Sequence, residues 1–354
     1  MSKNSSYFLN KSNTDEQEGW ASSYFVPAYD CSLIVLCVGI ICLNALVLVL
    51  YNKRRQLRTK TNTLLVSLAT SDLLMGLCGA PLFIACNAFI NGDVCIAQAA
   101  VFRFIAVSTM FHILAITGER YFCVLHPMQY INIVTGKRIV RVIACIWAIS
   151  LFVALIQLSW VLPFGYFSSN ETKFTASLVY NCIGLAVCFA IPFLGMVVFY
   201  TRMFITIHRQ VQKIRRQSLN LGVATSSKFR SSNRQLRALV TFTLMLGLFA
   251  GSWVTWYASI LQIYAKVQFF SEVSMDIFDF LRIGVSLINP LLYTFLKNDF
   301  REVLVSFLKC KKTNLQNSTS QATGTSSQWR QRHSSLELNR TKNWLKNSLF
   351  LSLG

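Results

Sequence analysis

The sequence predicts an all-α membrane protein, a bundle of seven transmembrane helices, and three observations carry that reading. The chain of 354 residues is 53% hydrophobic and only 14% charged, with a mean hydropathy of +0.46. A water-soluble protein of this size carries about 25% charged residues. The apolar residues gather in seven long runs, at about 29–51, 62–89, 96–125, 139–163, 179–204, 236–262 and 275–296. The Lys and Arg residues fall between those runs, on alternate connections.

Each run is long enough to span, because about 20 residues at ~1.5 Å each cover the ~30 Å of hydrocarbon in a bilayer. The runs are not repeats of one another, and they contain Gly and Pro, which membrane helices tolerate. Direction follows from the cations. The first connection holds Lys53, Arg54, Arg55, Arg58 and Lys60, and the loop at 205–235 holds Arg209, Lys213, Arg215, Arg216, Lys228, Arg230 and Arg234. The tail opens with Lys297, Arg301, Lys309, Lys311 and Lys312, whereas the connections near 90–95, 164–178 and 264–275 hold only Lys173 and Lys266. The positive-inside rule then places the N-terminal tail, 1–28, outside the cell and the C-terminus in the cytosol, on a multi-pass plasma-membrane protein. The net charge of +20 therefore reports orientation, and nucleic acid is not an expected partner.

Residues 1–25 are polar and have no apolar core before a small-residue cleavage site, so the first apolar run is expected to act as an uncleaved anchor. Asn4, Asn10 and Asn170 begin glycosylation sequons on the predicted outer side; Asn317 and Asn339 begin two more on the cytosolic side and are expected to stay unmodified. The eleven cysteines show no CxxC spacing and no clustering with His, which argues against a metal site or a disulfide-rich scaffold. From 311 to 354 the tail is polar and is expected to be disordered.

Ionisable residues inside spans cost several kcal/mol unless hydrated or paired, so each is a functional candidate. Asp72 lies mid-way along the second run, where it is either a carboxylate satisfied between helices or a cation-responsive switch. Glu119-Arg120-Tyr121 closes the third run: Arg120 is either an interfacial snorkelling cation or one held by Glu119 until a partner displaces it. Asn289-Pro290-Leu291-Leu292-Tyr293 breaks the last run near its inner end, where proline removes a backbone donor and permits a kink.

With these residues in order and at matching depths, the chain resembles a class A (rhodopsin-like) G-protein-coupled receptor across roughly residues 28 to 310. Asn44, Asp72, Glu119-Arg120-Tyr121, Trp147, Pro192, Tyr200, Phe249, Trp253 and the Asn289–Tyr293 motif each fall in their own span. The resemblance implies a receptor that passes an extracellular ligand signal to heterotrimeric G proteins by helix rearrangement. It implies an activation switch of Asp72, Glu119, Arg120, Tyr121, Tyr200, Phe249, Trp253, Asn289, Pro290 and Tyr293. It implies a membrane-surface helix at 297–310 with a palmitoylated Cys310, and arrestin and receptor kinases as partners of the cytosolic tail. An inner loop with Pro127, Met128 and Tyr130 is expected to meet the G protein. A disulfide from Cys95 to Cys182 is implied, although Cys182 lies only ten residues before Pro192. No cofactor is expected beyond an allosteric sodium ion on Asp72, Thr109, Ser286 and Asn289.

The sequence departs from the family in places. Thr255 stands where the sixth span usually has proline, so the kink there is expected to be weaker, and no acid near Gln235 is available to bind Arg120. Phe102 replaces the aspartate of amine receptors, and Ile283 replaces the lysine that holds retinal in opsins. The ligand pocket is expected around Phe102, Arg103, Trp253, Trp256, Tyr257, Asp279 and Arg282. Two readings of Arg103, Asp279 and Arg282 stand side by side: an internal ion-pair cluster, or direct contact with an anionic or carbonyl-bearing ligand. The alternatives to a receptor are a secondary transporter, disfavoured by the absence of paired halves, and a retinal photoreceptor, disfavoured by Ile283. No enzyme reading survives.

Overall fold

A computed structural model describes residues 27–221, 226–265, 267, 269–296 and 300–306. Asn4, Asn10, Cys310, the tail from 311 and the side chain of Gln235 lie outside the described residues. The chain divides into two compact units, Met1–Arg301 and Glu302–Gly354, and in the second the described residues 302–306 are helical.

In the first unit the described secondary structure is helical throughout. The helices are α1 (Pro27–Lys53), α2 (Lys60–Leu74), α3 (Ala80–Phe89), α4 (Gly92–Leu125), α5 (Pro127–Ile133), α6 (Gly136–Ile156), α7 (Leu158–Phe164), α8 (Glu171–Ile183), α9 (Ile191–Leu221), α10 (Ser226–Ala265) and α11 (Glu272–Leu296). Among the described residues five of them start on side-chain caps. Thr59 accepts from the Asn62 amide, Asn91 from Asp93 and Val94, Thr135 from Arg138, Asn170 from Lys173, and Ser271 from Ser274; each cap satisfies an amide the helix leaves free.

Two π turns, Met75–Gly79 and Gly184–Ala190, precede the prolines at the starts of α3 and α9. Pro81 and Pro192 cannot donate to the carbonyl four residues back, and their rings press against it. Widening the preceding turn relieves that clash, so α2 runs on into α3 and α8 into α9. In α10 the proline-free position Thr255 donates its hydroxyl to the Ser252 carbonyl at 2.8 Å, and the helix is continuous over 40 residues.

Among the described residues six helical segments are long and apolar enough to cross a membrane: Ala28–Lys53, Lys60–Phe89, Gly92–Leu125, Gly136–Phe164, Glu171–Lys213 and Leu239–Gln262. α11 is not among them, and it carries Asp276, Asp279 and Arg282. α4 is the central post, packing on α2, α3, α6, α9 and α10, while α11 packs on α1 and closes the ring. Large apolar side chains such as Val35, Phe152, Ile191 and Leu194 point outward, the inside-out pattern of a lipid-facing surface.

The stretch expected to be an open connection at 164–178 is largely helical, because the Asn170 cap starts α8 at Glu171. That shift bears on the expected Cys95–Cys182 disulfide, which the structure contradicts. Cys95 bonds instead to Cys86, with Cα atoms 4.9 Å apart, and Cys182 is a free, exposed thiol within α8. The physical reason is the tight turn between α3 and α4. Ile90 takes a left-handed conformation (φ 51°) and its amide donates to the Cys86 carbonyl, which folds the chain back so that the two sulfurs meet. A non-glycine residue rarely adopts that backbone.

Candidate functional site

At one end of the bundle a cavity of about 840 Å³ opens between α4, α8, α10 and α11. Phe102, Arg103, Trp253, Trp256 and Arg282 form part of its wall, together with Gln98, Gln157, Asn181 and Tyr264, which sequence reasoning did not select. Tyr257 and Asp279 contribute none of the lining. Tyr257 packs on Trp253, Trp256 and Phe189, and Asp279 pairs with Arg282 at 2.7 Å, one helical turn away. The two arginines therefore part company. Arg282 is neutralised and stacks over Phe102 at 4.6 Å, whereas Arg103 lies over Trp256 at 4.5 Å and Tyr180 at 4.9 Å. Arg103 donates to the Asn181 side-chain oxygen at 2.7 Å, and Asn181 donates in turn to the Tyr264 hydroxyl at 3.0 Å. An internal cluster of all three charged residues is not what forms.

The loop between α7 and α8 lies along the cavity mouth, with Tyr166 and Ser168 in the lining. The Lys173 ammonium gathers it by donating to the carbonyls of Gly165, Tyr166 and Ser168. Burial pushes the Tyr166 phenol up to about 12, against the opposing pull of the Arg282 charge. Asn170 sits exposed beside this loop.

Below the aromatic wall, about 10 Å further along α4 by helical rise, Thr109 lines the cavity with Phe249, Trp253 and Ser286. Phe249 and Trp253 are 5.9 Å apart, and Trp253 stacks on Phe189 at 5.4 Å. Next comes a buried polar layer. Asn289 donates to one Asp72 carboxylate oxygen at 3.0 Å, Ser286 lies against the same carboxylate, and Asn44 donates to the Ser286 carbonyl at 3.0 Å. The other Asp72 oxygen, the Asn44 side-chain oxygen and the Ser71 hydroxyl are buried without a hydrogen-bond partner among the described residues. One carboxylate among neutral oxygens is a donor set that fits a monovalent hard cation.

A second polar chain ties three helices together and was missed. Trp147 donates to the Ser67 hydroxyl at 3.0 Å, and Ser67 meets His112 Nε2 at 2.7 Å. His112 Nδ1 lies 2.8 Å from the Ser108 carbonyl. A carbonyl only accepts, so Nδ1 carries the proton and Nε2 accepts from Ser67. Trp147 alone offered a signal in the sequence; Ser67 and His112 looked like ordinary interior residues.

At the opposite end, Glu119 is caged. One oxygen accepts the Thr61 hydroxyl at 2.9 Å and faces Arg120 Nε at 3.0 Å, and the other accepts the Tyr130 hydroxyl at 2.6 Å. Arg120 also donates to the Thr61 hydroxyl. Burial, and then the bond to Glu119, pushes the Tyr130 phenol up, so it stays a donor. Tyr130 thus turns inward from α5 while Met128 and Ile131 stand exposed. Tyr121 packs on Phe199 at 4.7 Å, the Tyr200 hydroxyl meets Thr117 at 3.0 Å, and Tyr293, fully buried beyond Pro290, contacts Phe300 at 5.6 Å.

The sequence model of the family described as 7 transmembrane receptor (rhodopsin family) matches residues 43–293. The chain is 27% identical to the histamine H2 receptor of Homo sapiens, over 87% of this chain and 90% of that one. It is 27% identical to 5-hydroxytryptamine receptor 4 of Rattus norvegicus, over 84% and 80% of the two chains. It is 26% identical to the D(5)-like dopamine receptor of Takifugu rubripes, over 80% and 67%.

Proposed function

The chain belongs to the rhodopsin family of seven-transmembrane receptors, and from that premise we propose how it signals: a small extracellular ligand in the aromatic cavity shifts the buried polar layer and releases Arg120 to a G protein. It is a multi-pass plasma-membrane G-protein-coupled receptor and not an enzyme; the transporter and photoreceptor readings fall away. Ile283, fully buried and apolar, offers no amine for retinal.

The observation that carries this reading is the alignment of three layers along one bundle: the cavity, the Asp72–Asn289 layer and the Glu119–Arg120 cage. In it the N-terminus is extracellular, α11 is the seventh span, and the membrane-surface helix follows at 297–310. Asn4, Asn10 and Asn170 carry glycans, Cys310 carries a palmitoyl group, and the tail recruits arrestin and receptor kinases. Phe102, Arg103, Trp253, Trp256 and Arg282 meet the ligand, and Tyr257 and Asp279 hold them in place.

A sodium ion, when bound, supplies a positive charge that fixes the resting arrangement of the polar layer. Asp72, Thr109, Ser286 and Asn289 would hold it. The chain's own part is to orient Asp72 through Asn289 and to bring α11 and α1 together through Asn44. Trp253, beneath the ligand and stacked on Phe189, transmits a sideways push along α10. Movement of α10 uncovers Arg120, Tyr200 and Tyr293, a rearrangement of packed helices between two states. Met128 and Ile131, exposed on α5, then dock the G protein.

The test is nucleotide exchange on purified heterotrimeric G proteins by receptor in nanodiscs, wild type against Arg120→Ala. Loss of exchange in Arg120→Ala at equal receptor amount is expected; equal exchange by both would overturn the mechanism.

A further inference from the structure

The cavity holds a buried cation, Arg103, with no counter-ion among the described residues. Arg103 is 7% exposed, and among the described residues no carboxylate pairs with it; its hydrogen-bond partner, Asn181, is neutral. The other cations of the wall are satisfied otherwise. Arg282 has Asp279 at 2.7 Å, and Lys173 is taken up by three loop carbonyls. Among the described residues of the lining the one acid is Glu171, exposed at the rim on the first turn of α8.

A guanidinium presents five N–H donors in a planar fork that matches a carboxylate. The Trp256 and Tyr180 rings fix the plane of this one, and Asn181 uses a single edge. Close by, Arg103 Nη1 and the Tyr257 hydroxyl converge on Gly184. A side chain built there would meet them at 3.8 and 3.6 Å, so the guanidinium and that hydroxyl stand side by side at the edge of the site. Burying a charge without a partner is costly, and a ligand of opposite charge removes the cost.

We propose that the ligand is an apolar, aromatic carboxylate whose carboxylate pairs with Arg103 and whose ring lies between Phe102, Trp253 and Trp256. This rests on the reading of the cavity as the receptor's ligand site and names the class of ligand it takes. An ammonium ligand would be repelled by Arg103 at the place where it must shed its water.

The probes are 3-phenylpropionate, its amide and 3-phenylpropylamine, with decanoate to separate a lipid-derived carboxylate from an aromatic one. Full-length receptor in nanodiscs is unfolded thermally and followed by tryptophan fluorescence. At millimolar concentration 3-phenylpropionate is expected to raise the wild-type midpoint by about 3 °C, with no shift from the amide or the amine. Arg103→Gln is expected to weaken the carboxylate roughly 10- to 100-fold. Arg103→Met, which removes the unpaired charge, is expected to leave the ligand-free midpoint at or above the wild type. A larger shift from decanoate than from 3-phenylpropionate would overturn the aromatic part. Stabilisation by the amine, no shift from any carboxylate, or a lower ligand-free midpoint in Arg103→Met would overturn the proposal. The same nanodiscs are assayed for G-protein nucleotide exchange. Exchange without a carboxylate response sinks the ligand class alone, and absence of exchange sinks the receptor mechanism instead.

Discussion

Glu119→Gln keeps the volume of the side chain at the centre of the Arg120 cage and one hydrogen-bonding oxygen, but it removes the charge. Glu119 is 5% exposed, and its carboxylate collects Thr61, Arg120 and Tyr130 at 2.9, 3.0 and 2.6 Å. At an effective dielectric of ~20, unit charges ~3 Å apart attract by about 5 kcal/mol. Desolvation of the carboxylate and the 24% exposure of the Arg120 side chain reduce that gross figure. A net loss of about 2 kcal/mol remains, in line with hydrogen bonds to charged groups. In a two-state receptor this is roughly a 30-fold shift towards the open state, so a population of ~1% active rises to about a quarter. Tyr130→Phe removes only the 2.6 Å donor and is expected to give about a fivefold shift. The two changes should be less than additive, because both act on one carboxylate. The assay is ligand-free nucleotide exchange on purified G protein in nanodiscs with matched receptor amounts. Glu119→Gln exchange within twofold of wild type would refute the idea that this cage restrains Arg120.

Asp72→Asn is expected to abolish any rise in thermal midpoint that wild type shows when sodium replaces choline; an unchanged sodium response would take Asp72 out of the ion's site. Cys95→Ser is expected to cost about 2.5 kcal/mol, from the short loop that its bond to Cys86 closes, while Cys182→Ser costs almost nothing; peptide mapping without reduction should find Cys86 joined to Cys95. Ile90→Asn should stabilise the fold by about 1 kcal/mol, because asparagine tolerates the left-handed backbone that isoleucine resists, and a lower thermal midpoint would show that the apolar contacts of Ile90 outweigh its backbone cost.

Six of the spans were legible because lipid imposes a length and a polarity that few other constraints imitate. Positions on one helix were equally accessible: Asp279 and Arg282, three apart, pair as their spacing suggests. What stayed hidden depends on where separate helices come together. Arg103 could be placed at membrane depth, and its neighbours Tyr180 and Asn181 fell within the run at 179–204, but that this helix reaches back to Glu171 stayed hidden because its first turns are polar. A signal was present in Asn170 followed by Glu171, a cap and an acidic first turn. The disulfide went wrong for a related reason. Cys86 and Cys95 flank Asn91-Gly92-Asp93, a local turn signature, yet family resemblance pointed to a distant partner. In the Ser67–His112–Trp147 chain only Trp147 carried a sequence signal, since small polar residues on buried faces look alike until helices are docked.

The Lys173 clamp has a kinetic consequence. With Cys95 bonded to Cys86 on its own hairpin, no covalent tether ties the loop at 165–170 to α4. An ammonium on three carbonyls helps hold that loop over the cavity mouth, beside the packing of Tyr166 and Phe167 near Gly92, and its interactions break and re-form within the microsecond-to-millisecond range of loop motion. Ligand residence time would then depend in part on how often Lys173 lets go, and weakening that grip would speed association and dissociation together, leaving affinity nearly unchanged.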